Sequence, residues 1–324
     1  MLSIIEYFPK ELAKLINQTI TVSPKVFCTR YDANIFSVRD YVFASEFEAP
    51  RLVSDFHPIT LVLKTDGTVW FNVDDKPFVL MTSHIRDIAT SSKRNMLVIL
   101  LVTMSGSLIT IVVSTMNKFS ILSSLELSNI SQVSASTKKT QVTSVEGLLY
   151  DQLISPDGSS FTYMRKKKAY EVVSTATLGS RIYYLLPTGQ LNSFHPLRNP
   201  LREESKMSDD CIKIEGARYM MGRLNVDDTL RFDHLKAIET KAEMFLRNVK
   251  DFACGDSNVA IITKKGEVKT LDQWMGDKWE VHPIANTIFI SCCAKRIALI
   301  TKDGNVYIKA EGEFIEVADI NVYT

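Results

Sequence analysis

Short runs in which apolar and polar residues alternate recur in a fixed order along most of this chain, at an interval of about 40 residues. The plainest copies are Val62 to Trp70 (VLKTDGTVW), Ile261 to Val268 (IITKKGEV) and Leu299 to Tyr307 (LITKDGNVY). Each is an apolar run, a polar turn with glycine where the backbone must take positive φ, and a second alternating run, which predicts a β-hairpin. Weaker copies turn at Gly106, Gly147, Gly189 and Asp228, and the weakest at Ala33. Counting Gly67, Gly266 and Gly304, there are eight expected turn centres, 34 to 42 residues apart.

Each hairpin is followed by a strand-like piece around an aromatic or branched residue: Phe78, Phe119, Tyr170, Ile212, Phe245, Trp279 and Phe314. These are expected to be buried between repeats. A further run then leads into the next hairpin, as in Val249 to Gly255 or Ile288 to Cys293. One unit thus offers four short strands. Four-stranded units repeated around a ring predict an all-β fold, a β-propeller, whose closure leaves only short strand edges. The turn centres by themselves suggest eight blades.

The segment Ala253 to Thr263 with Lys264-Lys265-Gly266-Glu267-Val268 resembles the repeat of the regulator-of-chromosome-condensation family, and Ser291 to Tyr307 resembles it again. Asn258 stands where that family usually has histidine, Cys293 replaces a glycine, and the family's G-Q-L-G segment is absent. The resemblance implies seven blades, the number expected here. With seven, the N-terminal strands would complete the blade begun by residues 305–324. The expected organisation is an N-terminal helical segment over 1–19 and the propeller over 20–324.

With 324 residues, 45% of them apolar, the chain can bury a large core. Thirty-eight basic against 37 acidic residues leave a net charge of +1, so the overall balance attracts neither nucleic acid nor membrane. Arg165 to Lys168 is the densest basic stretch and reads as a solvated hairpin turn. Residues 95–117 carry no charge and could span a bilayer by length, but Gly106 at the repeat's turn position and the abundance of Val, Ile and Thr predict a buried hairpin. The five cysteines, Cys28, Cys211, Cys254, Cys292 and Cys293, lack C-x-x-C spacing and read as reduced, which suits an intracellular setting, cytoplasmic or nuclear.

No catalytic, cofactor or metal site is expected. The five histidines are scattered without ligand spacing, and the glycines are single turn residues rather than phosphate-binding loops. Outside the repeat, Ile4, Ile5, Phe8, Leu12 and Leu15 have helical spacing and form a candidate partner-docking stripe. Phe8-Pro9-Lys10-Glu11-Leu12 through Ile16 is similar to the opening of an F-box, although Thr19 to Val22 reads as a strand where an F-box would continue as helix. The expected function is a non-enzymatic protein-protein interaction platform, with other proteins or neighbouring subunits as partners. A structural component of a large assembly such as a virus particle is one alternative, and a ubiquitin-ligase substrate receptor is another.

Overall fold

A computed structural model describes residues 22–31, 57–73, 77–93, 96–114, 120–122, 127–135, 140–146, 148–154, 161–167, 172–178, 181–194, 205–216, 220–234, 245–255, 258–272, 279–293, 296–309 and 312–323. They build seven four-stranded antiparallel sheets, each from four consecutive strands. Blade 1 is β1 (Lys25–Tyr31), β2 (His57–Leu63), β3 (Val69–Val73) and β4 (Val79–Thr82). Blade 2 is β5 (Ile85–Lys93), β6 (Met96–Thr103), β7 (Leu108–Ser114) and β8 (Ser120–Leu122). Blade 3 is β9 (Ile130–Ala135), β10 (Thr140–Ser144), β11 (Leu149–Ile154) and β12 (Phe161–Lys167). Blade 4 is β13 (Ser174–Leu178), β14 (Arg181–Leu185), β15 (Leu191–Phe194) and β16 (Ser205–Ser208). Blade 5 is β17 (Cys211–Gly216), β18 (Met220–Asn225), β19 (Leu230–His234) and β20 (Phe245–Leu246). Blade 6 is β21 (Val249–Cys254), β22 (Asn258–Thr263), β23 (Val268–Asp272) and β24 (Glu280–His282). Blade 7 is β25 (Thr287–Cys293), β26 (Arg296–Thr301), β27 (Asn305–Lys309) and β28 (Ile315–Asn321). The first strand of every blade touches the first strands of both neighbours, β25 with β1 included, so these seven strands line the inside of a closed ring.

The repeat's turns join the second and third strands. Gly67, Gly106, Gly189, Gly266 and Gly304 all have φ between +81° and +85°, and Asp228 does the same work at +61°. Gly147 falls between β10 and β11, outside the described residues. The eighth expected turn, at Ala33, is not one of this series: it lies outside the described residues, in the connection between β1 and β2, and blade 1 turns at Gly67. Within the uncharged stretch, residues 96–114 are the β6–β7 hairpin, paired residue for residue from Met96↔Ser114 to Val102↔Leu108.

Burial explains why the second strands read as continuous apolar runs. Such a strand is covered on both faces, so alternation gives way. In β6, Ile99 and Leu101 pack toward blade 1, while Val98, Leu100 and Val102 pack toward blade 3. In β26, Ala298 and Ile300 face blade 1 and Ile297 and Leu299 face blade 6. Seven hydrophobic clusters result, one at each interface between neighbouring blades.

The outer-strand aromatics are less uniform than the repeat suggests. Phe78, Trp279 and Phe314 are half-buried against their clusters. Phe245 is 40% exposed: its neighbour Leu246 takes the face that packs against the cluster between blades 5 and 6, which leaves Phe245 on the opposite face beside Arg231. Ile212 does not belong to the series: it sits in the innermost strand β17, and the outer strand of blade 4 is β16. Phe119 and Tyr170 lie outside the described residues. The basic run is also not a turn, since Arg165 to Lys167 end the outer strand β12.

Register places one residue per blade at a common level of the inner wall, each paired four positions before its turn residue: Lys25, Asp87, Gln132, Ser174, Lys213, Asp251 and Phe289. From this level side chains tie neighbouring blades together. Lys25 Nζ meets Asp87 Oδ1 at 2.5 Å, and Asp87 Oδ2 accepts from Val133 N–H at 3.1 Å, which links blades 1, 2 and 3. Ser174 Oγ donates to Ile214 O at 3.4 Å. Lys213 Nζ donates to Asp251 Oδ1 at 2.5 Å and to Phe252 O at 2.7 Å.

Ring closure differs from the expectation that the N-terminal strands complete the last blade. Blade 7 holds four strands of its own, and blade 1 does too. The join is made by Val322, which is fully buried between Val62 of blade 1 and Ile300 of blade 7. Its N–H donates to Gly304 O at 3.0 Å and its carbonyl accepts from Thr65 N–H at 3.0 Å. Ile85 likewise donates to Gly67 O, so Val322 repeats the bond by which the start of one blade is tied to the turn before it.

A second clamp lies farther out between blades 6 and 7. His282 Nε2 is 2.8 Å from Thr270 Oγ1 and 3.4 Å from Lys309 Nζ, the imidazole stands edge-on to Phe314 at 4.9 Å, and Lys309 also pairs with Glu280. Burial, and then the Lys309 ammonium, hold the His282 pKa below 6.5.

Two predictions follow from these contacts. A chain ending at Ile320 loses the buried valine and both backbone bonds, and is expected to lose on the order of 4 kcal/mol in urea unfolding; an unchanged midpoint would refute closure through Val322. For His282 the folded state favours the neutral ring, so its stabilisation is present above pH 6.5, the unfolded value, and is lost as the pH falls through the lowered folded value. Glu280, held low chiefly by its hydrogen bond from Lys309, titrates below that window. The melting temperature should therefore fall between pH 6.5 and 5, and His282→Gln should flatten that part of the profile.

Candidate interaction face

The sequence-predicted docking stripe, Ile4, Ile5, Phe8, Leu12 and Leu15, lies outside the described residues. Val22, where the described chain begins, is 2% exposed and packs in the cluster between blades 1 and 2. It precedes β1 at the end of the ring that carries the hairpin turns.

Inner-wall chemistry concentrates at one place. Lys213, Glu215 and Asp251 meet between blades 5 and 6, with Lys213 Nζ 3.4 Å from Glu215 Oε2 and Cys254 N–H donating to Glu215 Oε1 at 3.3 Å. Burial raises the Glu215 pKa against the lowering effect of Lys213. Burial also acts on Lys213, lowering its pKa, but the Glu215 and Asp251 carboxylates outweigh it and raise the net value. Perturbed groups can mark a reactive site. Here Lys213 is committed to two carboxylates and the Phe252 carbonyl, and what the arrangement does is hold two blades together.

Among the described residues no group of three or more His, Cys, Asp or Glu is placed to hold a metal ion. Cys211, Cys254 and Cys292 are free thiols. Burial pushes Cys211 up to about 11 and Cys254 also well above the ordinary range, so neither supplies a thiolate near neutral pH. No helix among the described residues is long and apolar enough to cross a membrane.

The face formed by the hairpin turns offers a different kind of surface. On blades 4 and 5 it exposes Val173 (46%), Met207 (37%), Ile212 (53%), Val226 (66%) and Phe245 (40%). Backbone bonds place these side chains together: Cys211 N–H donates to Gly189 O at 3.0 Å, and Val226 N–H to Asp210 O at 2.8 Å, so Ile212 starts its strand between the turns of blades 4 and 5. Val249 N–H reaches Asp228 O at 3.1 Å, which brings Phe245 to Asn248 up to the same rim. Ile212 is turned outward by the irregularity that opens the inner strand, where pairing passes from Cys211 to Lys213. Buried Cys211 and Ile214 on either side fix that strand against Leu185 and Leu191 of blade 4.

Polar groups around this patch are already arranged. Asp227 Oδ1 accepts from Thr229 N–H at 3.1 Å and from the Thr229 hydroxyl at 2.5 Å, and that hydroxyl bond is the main cause of its lowered pKa. Lys264 pairs with Asp228 at 2.8 Å. Arg231 and Arg247 lie over the Phe245 ring, 5.5 and 5.4 Å from its centroid. Sequence reading missed this site because its residues come from three separate strands, β16, β17 and β20, and from positions flanking two more, β13 and β18. The available signal was weak: Val226 stands in a turn position where blades 6 and 7 have Lys264 and Lys302.

No protein-family model matches the chain, and no curated protein does. Solved structures do. Human WBSCR16 is similar at 12% identity, over 91% of this chain and 94% of that one, with a TM-score of 0.59. Prp20p of Saccharomyces cerevisiae, the yeast RCC1, is similar at 11% identity, over 87% of this chain and 92% of its own, with a TM-score of 0.54. Identities this low speak to the fold alone, and the fold they share with this chain is the β-propeller, here with seven blades.

Proposed function

We propose that this protein is a non-enzymatic interaction platform whose working surface is the hairpin-turn face of blades 4 and 5. The observation that carries the reading is the gathering of Val173, Met207, Ile212, Val226 and Phe245 as exposed apolar side chains on one rim. A single exposed apolar residue is ordinary, whereas five on the turn-bearing end of two neighbouring blades offer a partner a rigid apolar surface. Prp20p, which shares the fold, has binding properties toward Gsp1p and histones. That likeness supports protein partners as a class and selects none of them. Reduced, buried cysteines suit an intracellular setting.

The N-terminal segment, residues 1–19, is proposed as a second docking element through Ile4, Ile5, Phe8, Leu12 and Leu15. Its favouring observation is the anchorage of Val22, which is buried between blades 1 and 2 at the turn-bearing end of the ring. An apolar helix of this length needs a covering surface, on a partner or on a neighbouring subunit of an assembly.

Ile212→Asp and Val226→Asp alter side chains that are more than half exposed, so the melting temperature should stay within a few degrees of the parent protein. Binding to the partners that copurify with the parent protein should fall at least tenfold, measured by quantitative affinity purification. Ile315→Asp, at a 72% exposed position on the outer strand β28, is the control and should bind normally. Equal binding by all three variants would remove the turn face as the working surface. Deleting residues 1–17 is expected to leave the ring's melting temperature nearly unchanged and to abolish one interaction; a large loss of stability with every partner retained would make the segment a structural cap.

A further inference from the structure

The geometry points to a partner segment that carries carboxylates beside apolar side chains, bound across Ile212, Val226 and Phe245 with its acids on Arg231 and Arg247. This rests on the turn face of blade 5 being the working surface. Phe245 stands directly opposite Arg231 in the β19–β20 ladder, and Arg247 follows it by two residues. Both guanidiniums lie over the same ring, at 5.5 and 5.4 Å from its centroid, and both residues are exposed. A guanidinium stacked on a ring is held through its face. Its N–H edges remain available, in the planar fork that matches a carboxylate.

No described carboxylate lies within ion-pair distance of Arg231 or Arg247. The acids nearest in the chain have other hydrogen-bonding duties: Asp227 closes its own turn with Thr229 and feels the Arg231 charge only as a minor influence without an ion pair, Asp228 pairs with Lys264, and Asp210 accepts from the Ser208 hydroxyl at 2.5 Å. Lys250 and Lys265, exposed on blade 6, extend the basic side of the patch. The apolar side runs the other way, through Val226 and Ile212 to Val173 and Met207. A partner that is apolar throughout would leave two stacked guanidiniums desolvated and unpaired, and a basic one would be repelled. The fit is to a short segment with apolar residues at one end and aspartate or glutamate at the other. Aromatic and arginine side chains clustered in this way are also the residue types that dominate binding at protein interfaces.

The test uses the full chain as bait for displayed random dodecamer peptides, with the Ile212→Asp variant as the counter-selection. Enriched peptides should combine Leu, Ile or Phe with Asp or Glu. Synthetic copies should bind with a Kd that rises at least tenfold in Arg231→Glu/Arg247→Glu, and that rises as salt is raised from about 50 to about 300 mM, because the screening length, ~10 Å at 0.1 M, shortens with added salt. Replacing the peptide's acids by lysine should abolish binding to the parent protein and restore part of it in the double variant. Neutral or basic peptides that still depend on Ile212 would overturn the carboxylate assignment and leave the platform intact. Peptides indifferent to Ile212 and Val226 would overturn both. Binding that appears only after deletion of residues 1–17 would give the patch to the protein's own N-terminal segment, and tighter binding of a single-stranded oligonucleotide than of any peptide would give it to nucleic acid; either result removes the proposal.

Discussion

Everything in this ring depends on second strands that are buried on both faces. A sheet of four strands cannot cover both of its own sides, so each blade needs a neighbour on the left and another on the right. In β22, Val259 and Ile261 pack into the cluster with blade 5 while Ala260 and Ile262 pack into the cluster with blade 7. Only a closed circle satisfies that requirement for every blade at once. An open row would leave the first and last second strands with a bare apolar face, and such faces and edges promote association.

Closure therefore has to be made at one seam, and the seam is built from small parts. Val322 repeats at the join the bond that Ile85 makes within the ring, although it is followed by no inner strand of its own among the described residues. Thr65 reinforces it, its hydroxyl donating to the same carbonyl at 3.1 Å. Polar ties act in parallel at the inner wall. Lys25 to Asp87 and Lys213 to Asp251 bridge neighbouring first strands, where the narrowing of the ring brings them close enough to pair. Lys213 keeps about a third of its side-chain surface, so its pairing is weaker than that of a fully buried ion pair and serves register as much as stability.

The same rigidity makes the turn face usable. Turns held by Gly189 and Asp228 at positive φ and by bonds to the next blade's first strand do not have to be ordered when a partner arrives, which lowers the entropic cost of binding. Ile212 is outward because the inner strand shifts register between Cys211 and Lys213, and Phe245 is outward because strand alternation gives the core-facing side to Leu246. Both exposures are consequences of backbone geometry rather than of unusual sequence.

The period of the hairpins, the glycine at each turn and the apolar runs of β6, β22 and β26 determined the architecture in advance, because local turn chemistry and two-sided burial leave a direct mark on residue order. Blade number was only partly legible: eight turn-like segments were visible, and the one at Ala33 fell in the β1–β2 connection because a turn signature carries no information about which strands it joins. Closure through Val322 could not be read at all, since it bonds across 257 positions to Thr65, nor could the inner-wall pairs Lys25 with Asp87 and Lys213 with Asp251, which are 62 and 38 positions apart. The surface proposed for interaction was hidden for the same reason. Val173, Met207, Ile212, Val226 and Phe245 look like five unrelated apolar residues along the chain, and only the bending of consecutive blades around one axis brings their turn-side ends to a common rim.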